Sequence, residues 1–196
     1  MKHLIVFAHP RRNSLNRAIL ERTKHVLESL GHSVQVRDLY EIGFHPVLTE
    51  QDFSAMEKGQ IPEEIQREQH FIADADVITL IYPVWWAGMP AVMKGYIDRV
   101  FAYGFAYAYT PQGEVEHLLK GKQGWIINTQ GESESVYQHN GMSRSMDQAA
   151  EEGIFTFTGI KPVGRLCFGS VPNAGEVRGK QMLDEVEKQI RKLFSK

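Results

Sequence analysis

The chain has a single cysteine, Cys167, among its 196 residues. An internal disulfide framework is therefore excluded, and a reducing compartment is the simpler reading. No stretch approaches the roughly 18 consecutive apolar residues of a membrane helix. The apolar start is cut short by Pro10, Arg11 and Arg12, which does not fit a secretory signal. A cytoplasmic protein, not itself embedded in a membrane, is expected. Charge of one sign is also lacking: 22 Lys and Arg stand against 24 Asp and Glu, for a net charge of −2. The basic residues are scattered, so no nucleic-acid partner is expected. Neither the Gly-x-Gly-x-x-Gly loop of dinucleotide-binding folds nor a Walker phosphate loop is present. The 8 histidines are dispersed, without ligand spacing to Cys or carboxylates, and no metal site is expected. There is no internal repeat, low-complexity tract or interdomain linker.

What is there reads as one ordinary globular domain over residues 1–196, with 42% hydrophobic and 23% charged residues. Residues 77–82 form an almost continuous apolar run. A run of that length bounded by turn signals is a strand buried on both faces. Residues 3–8, 34–36, 124–129 and 162–168 read as four further strands. Helices are expected over residues 15–30 with Ser14 as N-cap, from Pro62 to residue 73, over 90–103 and 143–153, and over 176–194. Residues 42–59 have no clear period and read as a long surface connection, and residues 104–121 as a second irregular stretch. Strand and helix alternate throughout, which implies a parallel sheet covered on both faces with right-handed crossovers. Ligands bind such sheets at the carboxyl ends of the strands, near the switch in strand order.

Three loops leaving those ends have unusual content. The first, from His9 to Asn16, leads into a helix N-terminus, whose free N–H groups and dipole suit an anion; the bland alternative is an ordinary capped helix. The second carries Trp85 and Trp86 after Pro83, and offers an aromatic wall for a flat ligand. Those two indoles could equally pack the helix on the sheet. The third, Thr129-Gln-Gly-Glu132, offers backbone donors around a glycine, with Tyr137 nearby. A phosphate site, an aromatic wall and fixed donors together are what a flavin mononucleotide moiety requires. Cys167 reads as a buried apolar residue and not a nucleophile. Asp98 reads as a structural partner of Arg99 or of a neighbouring subunit, and the pair Glu151-Glu152 as a solvated helix end.

The run Ala8-His9-Pro-Arg-Arg-Asn-Ser14-Leu-Asn16 resembles the flavin loop of NAD(P)H:quinone oxidoreductases of the DT-diaphorase type. The run from Tyr82-Pro-Val-Trp-Trp-Ala-Gly through Phe101 is similar to that family's longest motif, and Phe105-Ala-Tyr-Ala-Tyr109 to a substrate-pocket segment. Nearly the whole chain is covered, at the length of the shorter bacterial members. The resemblance implies a flavodoxin-like three-layer α/β fold with a five-stranded parallel sheet in the order 2-1-3-4-5. It implies a homodimer and an oxidoreductase that takes hydride from NAD(P)H and reduces quinones and related electrophiles by two electrons, with ping-pong kinetics. By the same resemblance, His9, Ser14, Leu15 and Asn16 would serve the phosphate side of the flavin. Val84, Trp85, Trp86 and Ala87 would line its ring, and Thr129, Gln130, Gly131 and Glu132 would meet its pyrimidine edge. Tyr137 would assist hydride transfer, Tyr107 and Tyr109 would cap the substrate pocket, and Arg178 matches an arginine near the adenine end of FAD.

The chain departs from that pattern in three places. Ser143 stands where the family has a catalytic histidine, with His139 as the candidate substitute. Ala87 replaces a bulky aromatic, which widens the pocket. Residues 42–59 lack the family's adenine-holding loop, so FMN is the expected cofactor and FAD the alternative. Some bacterial relatives serve glutathione-gated potassium efflux systems, so an ancillary flavin-binding subunit with a transporter partner is the alternative function.

Overall fold

The computed structural model describes residues 1–195. Five parallel strands form the central sheet: β1 (Lys2–Phe7), β2 (Ser33–Asp38), β3 (Val77–Pro83), β6 (Gln123–Thr129) and β7 (Lys161–Phe168). Their spatial order is β2-β1-β3-β6-β7, which is the expected 2-1-3-4-5 once the small strands between β3 and β6 are set aside. Every residue of β3 is buried. It lies in the middle of the sheet, where side chains on both pleats meet helices.

Alternation along the strands sorts the core into two layers. Leu4, Val6, Ile78, Leu80 and Ile126 face one side, against α3 (Glu63–Asp74), α4 (Ala91–Val100) and a π-helix at Gln148–Thr156. Ile5, Phe7, Ile81, Trp125 and Ile127 face the other, against α1 (Leu15–Ser29) and α7 (Gly175–Phe194). Close approach is required at Gly124, where an added Cβ would lie 2.5 Å from the ring of Phe155 on the π-helix.

Three expected loops are structured. In residues 42–59, Thr49 caps α2 (Glu50–Glu57) through a reciprocal capping box with Asp52. That segment is pinned to α4: an added Cβ on Gly95 would sit 2.1 Å from the Pro46 carbonyl oxygen. Arg99 donates to Asp52 at 2.8 Å and to the His45 carbonyl at 2.8 Å. Arg99 thus turns inward to Asp52 and Glu64, while Asp98 pairs with Lys94 one turn back, so the expected Asp98–Arg99 pairing is corrected. Neighbouring helix residues project about 100° apart and cannot share a face.

Residues 104–121 contain a two-stranded hairpin, β4 (Tyr107–Tyr109) with β5 (Val115–His117). The expected loop at residues 130–141 holds α5 (Glu134–His139), and α6 (Met142–Asp147) then runs directly into the π-helix. Glu151 lies inside that π-helix, where burial pushes its carboxyl pKa up, so it is not part of a solvated helix end. Among the described residues no helix is long and apolar enough to cross a membrane.

Candidate functional site

A cleft of about 530 Å³ opens at the carboxyl end of the sheet, between the segments that follow β1, β3 and β6. Its first wall is the approach to α1. Ser14 is the N-cap, and its Oγ accepts from the Arg17 N–H at 3.2 Å. The N–H groups of Leu15 and Asn16 find no acceptor among the described residues, and the first turn has no acidic side chain. The positive end of a helix dipole therefore faces this cleft with two donors to spare. Behind it, Arg17 pairs with buried Asp38 at the end of β2 and stacks over Phe7 at 4.6 Å, which fixes the helix start against the sheet.

His9 sits beside that helix end. Its Nδ1 stands 3.0 Å from the Arg11 N–H and 3.2 Å from the Arg11 carbonyl oxygen, so the same nitrogen can accept from the one or donate to the other. Burial lowers the pKa of His9; the Arg11 backbone contact opposes that shift and the Arg11 and Arg17 charges add to it, and the net effect favours the neutral ring.

Asn16 forms the floor. It is 2% exposed, and its Nδ2 donates to Thr129 Oγ1 at 2.7 Å. Its Oδ1 is buried with no partner among the described residues. Leaving such an acceptor unpaired costs about 1–3 kcal/mol, an expense usual where a ligand supplies the missing donor.

The second wall is Pro83, Val84 and Trp85. Beyond it the chain makes a tight turn. Trp85 and Gly88 exchange both backbone hydrogen bonds at 3.0 Å, and the central residues Trp86 and Ala87 have φ of +52° and +57°. A left-handed conformation costs a residue with a Cβ roughly 1–2 kcal/mol, and turns of this kind ordinarily use Asn and Gly. Strain of this sort persists where it serves a site. The turn holds the Trp86 indole wholly in solvent, at 103% relative exposure. Neither Trp86 nor the 41%-exposed Trp85 is packed into the core, so the helix-packing reading of the two indoles falls; Trp85 lines the cleft and Trp86 does not.

The third wall is Thr129, Gln130 and Gly131. The N–H groups of Gly131 and Glu132 find no acceptor among the described residues, and nothing lies within 4 Å of a Cβ placed on Gly131. The loop is held from behind. The Glu132 carbonyl accepts from Ser170 N–H at 3.0 Å and from Gln130 Nε2 at 3.2 Å. Cys167, only half-buried, donates its thiol to Gln130 Oε1 at 3.2 Å, and burial pushes its pKa up to about 11. It is therefore a hydrogen-bonding support rather than a purely apolar residue, and it carries no thiolate at neutral pH.

Of the residues singled out from sequence, His9, Ser14, Leu15, Asn16, Val84, Trp85, Thr129, Gln130 and Gly131 share this cleft. Others stand off its walls. Ala87 lines an adjoining cavity. Tyr137 and His139 lie on α5, half-buried and exposed respectively. Arg178 lies in the first turns of α7 and donates to the Gly169 carbonyl at 3.4 Å. Half-buried Tyr107 forms an aromatic group with the exposed Tyr103 and Tyr109, their ring centroids 5.9–6.2 Å apart. Val171 and Pro172, in a short turn after β7, complete the cleft and have no periodic signal in the sequence.

Residues 1–193 match the family described by a flavodoxin-like fold. An uncharacterized NAD(P)H oxidoreductase of Haemophilus influenzae is 41% identical over 94% of this chain and 91% of its own. NAD(P)H dehydrogenase [quinone] 1 of Cavia porcellus is 30% identical over 74% of this chain and 58% of its own. Among solved structures, the NAD(P)H:quinone oxidoreductase of Methanothermobacter marburgensis superposes with a TM-score of 0.87 at 28% identity, covering 98% of each chain. The fold, the cleft and these likenesses lead to one statement: the chain belongs to the flavodoxin-like family that includes the NAD(P)H:quinone oxidoreductases.

Proposed function

We propose that this protein is a flavin-dependent NAD(P)H:quinone oxidoreductase, working by ping-pong two-electron transfer with FMN as its cofactor. The observation that carries the reading is Asn16. It is a buried side chain with an orphaned acceptor, at the floor of a cleft with spare backbone donors at two places. An FMN moiety has the matching groups: an anionic phosphate, hydroxyl donors along its chain, and a ring edge that takes up negative charge. When bound, flavin supplies a two-electron carrier between nicotinamide and quinone.

The protein's part is positional and electrostatic. Leu15 and Asn16 N–H and the His9 ring hold the phosphate, and Asn16 Oδ1 accepts a hydroxyl. The N–H groups of Gly131 and Glu132 stabilise negative charge at the ring's polar edge, preorganised by the bonds behind the loop. Trp85 and Val84 supply the flat wall. Tyr137 donates its hydroxyl as charge develops, with His139 the second candidate for that role. Tyr107 and Tyr109 close the site across a homodimer, where nicotinamide and then quinone use one face in turn. FMN is favoured over FAD because residues 42–59 are committed to packing on α4 through Pro46 and Arg99.

The test is the absorption spectrum and the mass of the cofactor released from purified protein, followed by menadione turnover with NADPH. A yellow protein releasing FMN and turning over without a partner is the expected result. A colourless protein that takes up no flavin would overturn the reading. A yellow but nearly inert protein would favour the ancillary-subunit alternative.

A further inference from the structure

Gln130 stands in the wall of two cavities: the cleft, and a polar one of about 700 Å³ between β7 and the helices α5 and α6. Cys167 lines the second and not the first, so it acts on the cleft only through Gln130. Alternation brings the two side chains together. Asn128 and Gln130 lie two residues apart and share a face, and Cys167 is the partner of Asn128 in the β6–β7 register. Cys167 Sγ–H donates to Gln130 Oε1 at 3.2 Å, and Gln130 Nε2 donates to the Glu132 carbonyl at 3.2 Å, on a residue 4% exposed. Among the described residues no other donor reaches that Oε1. The two bonds fix the direction of the amide. Turned over, it would set its oxygen against the Glu132 carbonyl and its NH2 against a sulfur that accepts weakly. In the fixed direction the side chain spans Gly131 and braces the turn that carries the open Gly131 and Glu132 N–H groups. The turn has little slack behind it, since a Cβ placed on Gly169 would lie 2.8 Å from the Glu132 carbonyl oxygen.

We propose that Cys167 is a positioning residue: through Gln130 it aims the Gly131 and Glu132 N–H groups, and so sets how much more tightly the site holds reduced than oxidised flavin. The inference rests on the flavin reading above and deepens it. Negative charge stands at the polar edge of the ring only after reduction. Donors fixed in direction beforehand therefore favour the reduced state most, and donors free to swing must first be ordered. One neutral hydrogen bond is worth about two- to twelvefold in an equilibrium, and the reduced state bears most of that. The thiol keeps its proton, with a pKa of about 11, so the brace holds throughout the neutral range.

The experiment compares the FMN-loaded native protein with Cys167→Val, which fills the position without a donor, and Cys167→Ser, which keeps one. It measures the midpoint potential of bound FMN by equilibration with a reference dye, and the Kd of oxidised FMN by flavin fluorescence. In Cys167→Val the oxidised form should bind within about twofold of native. The preference for the reduced form should fall about fivefold, which lowers the two-electron potential by about 20 mV. Cys167→Ser should restore the preference to within about twofold of native. Should Cys167→Val not fold, Cys167→Ala removes the same donor and is read in the same way.

An unchanged potential in the variant without a donor overturns the proposal. So does a shift of the same size in Cys167→Ser, or an equal weakening of oxidised and reduced FMN, because Cys167 then acts by packing alone. If the native protein takes up no flavin, the flavin reading has failed and this inference falls with it, whereas flavin uptake with equal potentials in all three forms overturns the inference alone.

Discussion

The two ends of the same parallel sheet are built to different rules. At the amino end, polar groups are mostly spent on one another. The Lys2 backbone N–H donates to Asp76 at 2.7 Å and its ammonium to Asp74 at 2.6 Å. Lys122 closes the end of α3 by donating to the carbonyls of Ala73 and Ala75 at 2.7 and 2.6 Å. His3 meets His32 at 2.8 Å under the edge of Phe194, and only His3 Nδ1 is left over. At the carboxyl end, Asn16 Oδ1 and the N–H groups of Leu15, Asn16, Gly131 and Glu132 stay open, and three non-glycine residues, Trp86, Ala87 and Ser170, sit at positive φ. An end that satisfies itself contributes stability; an end that does not is waiting for a ligand.

The comparison can be pressed hardest at His3. Burial, reinforced by His32, lowers its pKa from 6.5 to about 4. The unfolded chain then takes up a proton near pH 6.5 that the folded chain refuses until about pH 4. Stability is full above the unfolded value and falls as the pH drops between the two, by up to about 3 kcal/mol. Urea unfolding at pH 7 and pH 4.5 should show the loss, and His3→Phe should flatten it; an unchanged slope removes His3 as the cause.

At the other end, Asn16→Ala should weaken flavin binding about 30-fold while changing the stability of the flavin-free protein by no more than about 1 kcal/mol, because the lost bond to Thr129 Oγ1 offsets the removal of a buried unpaired acceptor. Titration calorimetry and thermal unfolding of the apoprotein read the two effects separately. Next in size is Tyr137→Phe, expected to slow flavin reduction about tenfold in stopped flow with no loss of flavin. His139→Phe run alongside decides whether that residue shares the role. Smallest is Ala87→Gly, which should raise stability by about 1 kcal/mol by relieving the left-handed turn, and lower turnover as the turn loosens.

The sheet could be read in advance because buried parallel strands are nearly unbroken apolar runs, and residues 3–8, 77–82 and 124–129 are such runs. The cleft could be read because its three loops follow those strands. What escaped has local causes. Thr49 and Asp52 announce a helix start, yet the short α2 behind them has no strong apolar face. The turn at Trp86 and Ala87 lacks the Gly or Asn that would mark positive φ. Val171 and Pro172 reach the cleft only because β7 ends beside β6, a fact of topology rather than of local pattern. Arg99 could not be assigned to Asp52 from spacing, since the two are 47 residues apart.

The placing of the 3 tryptophans equips the molecule with its own optical gauge. Trp125 is sealed in the core at 2% exposure, whereas the Trp86 ring projects fully into water. Acrylamide should therefore quench Trp86 readily, Trp85 in part, and spare Trp125. Dilution across a subunit equilibrium, or the arrival of a dinucleotide, would register as a change in the quenchable fraction, with no label attached.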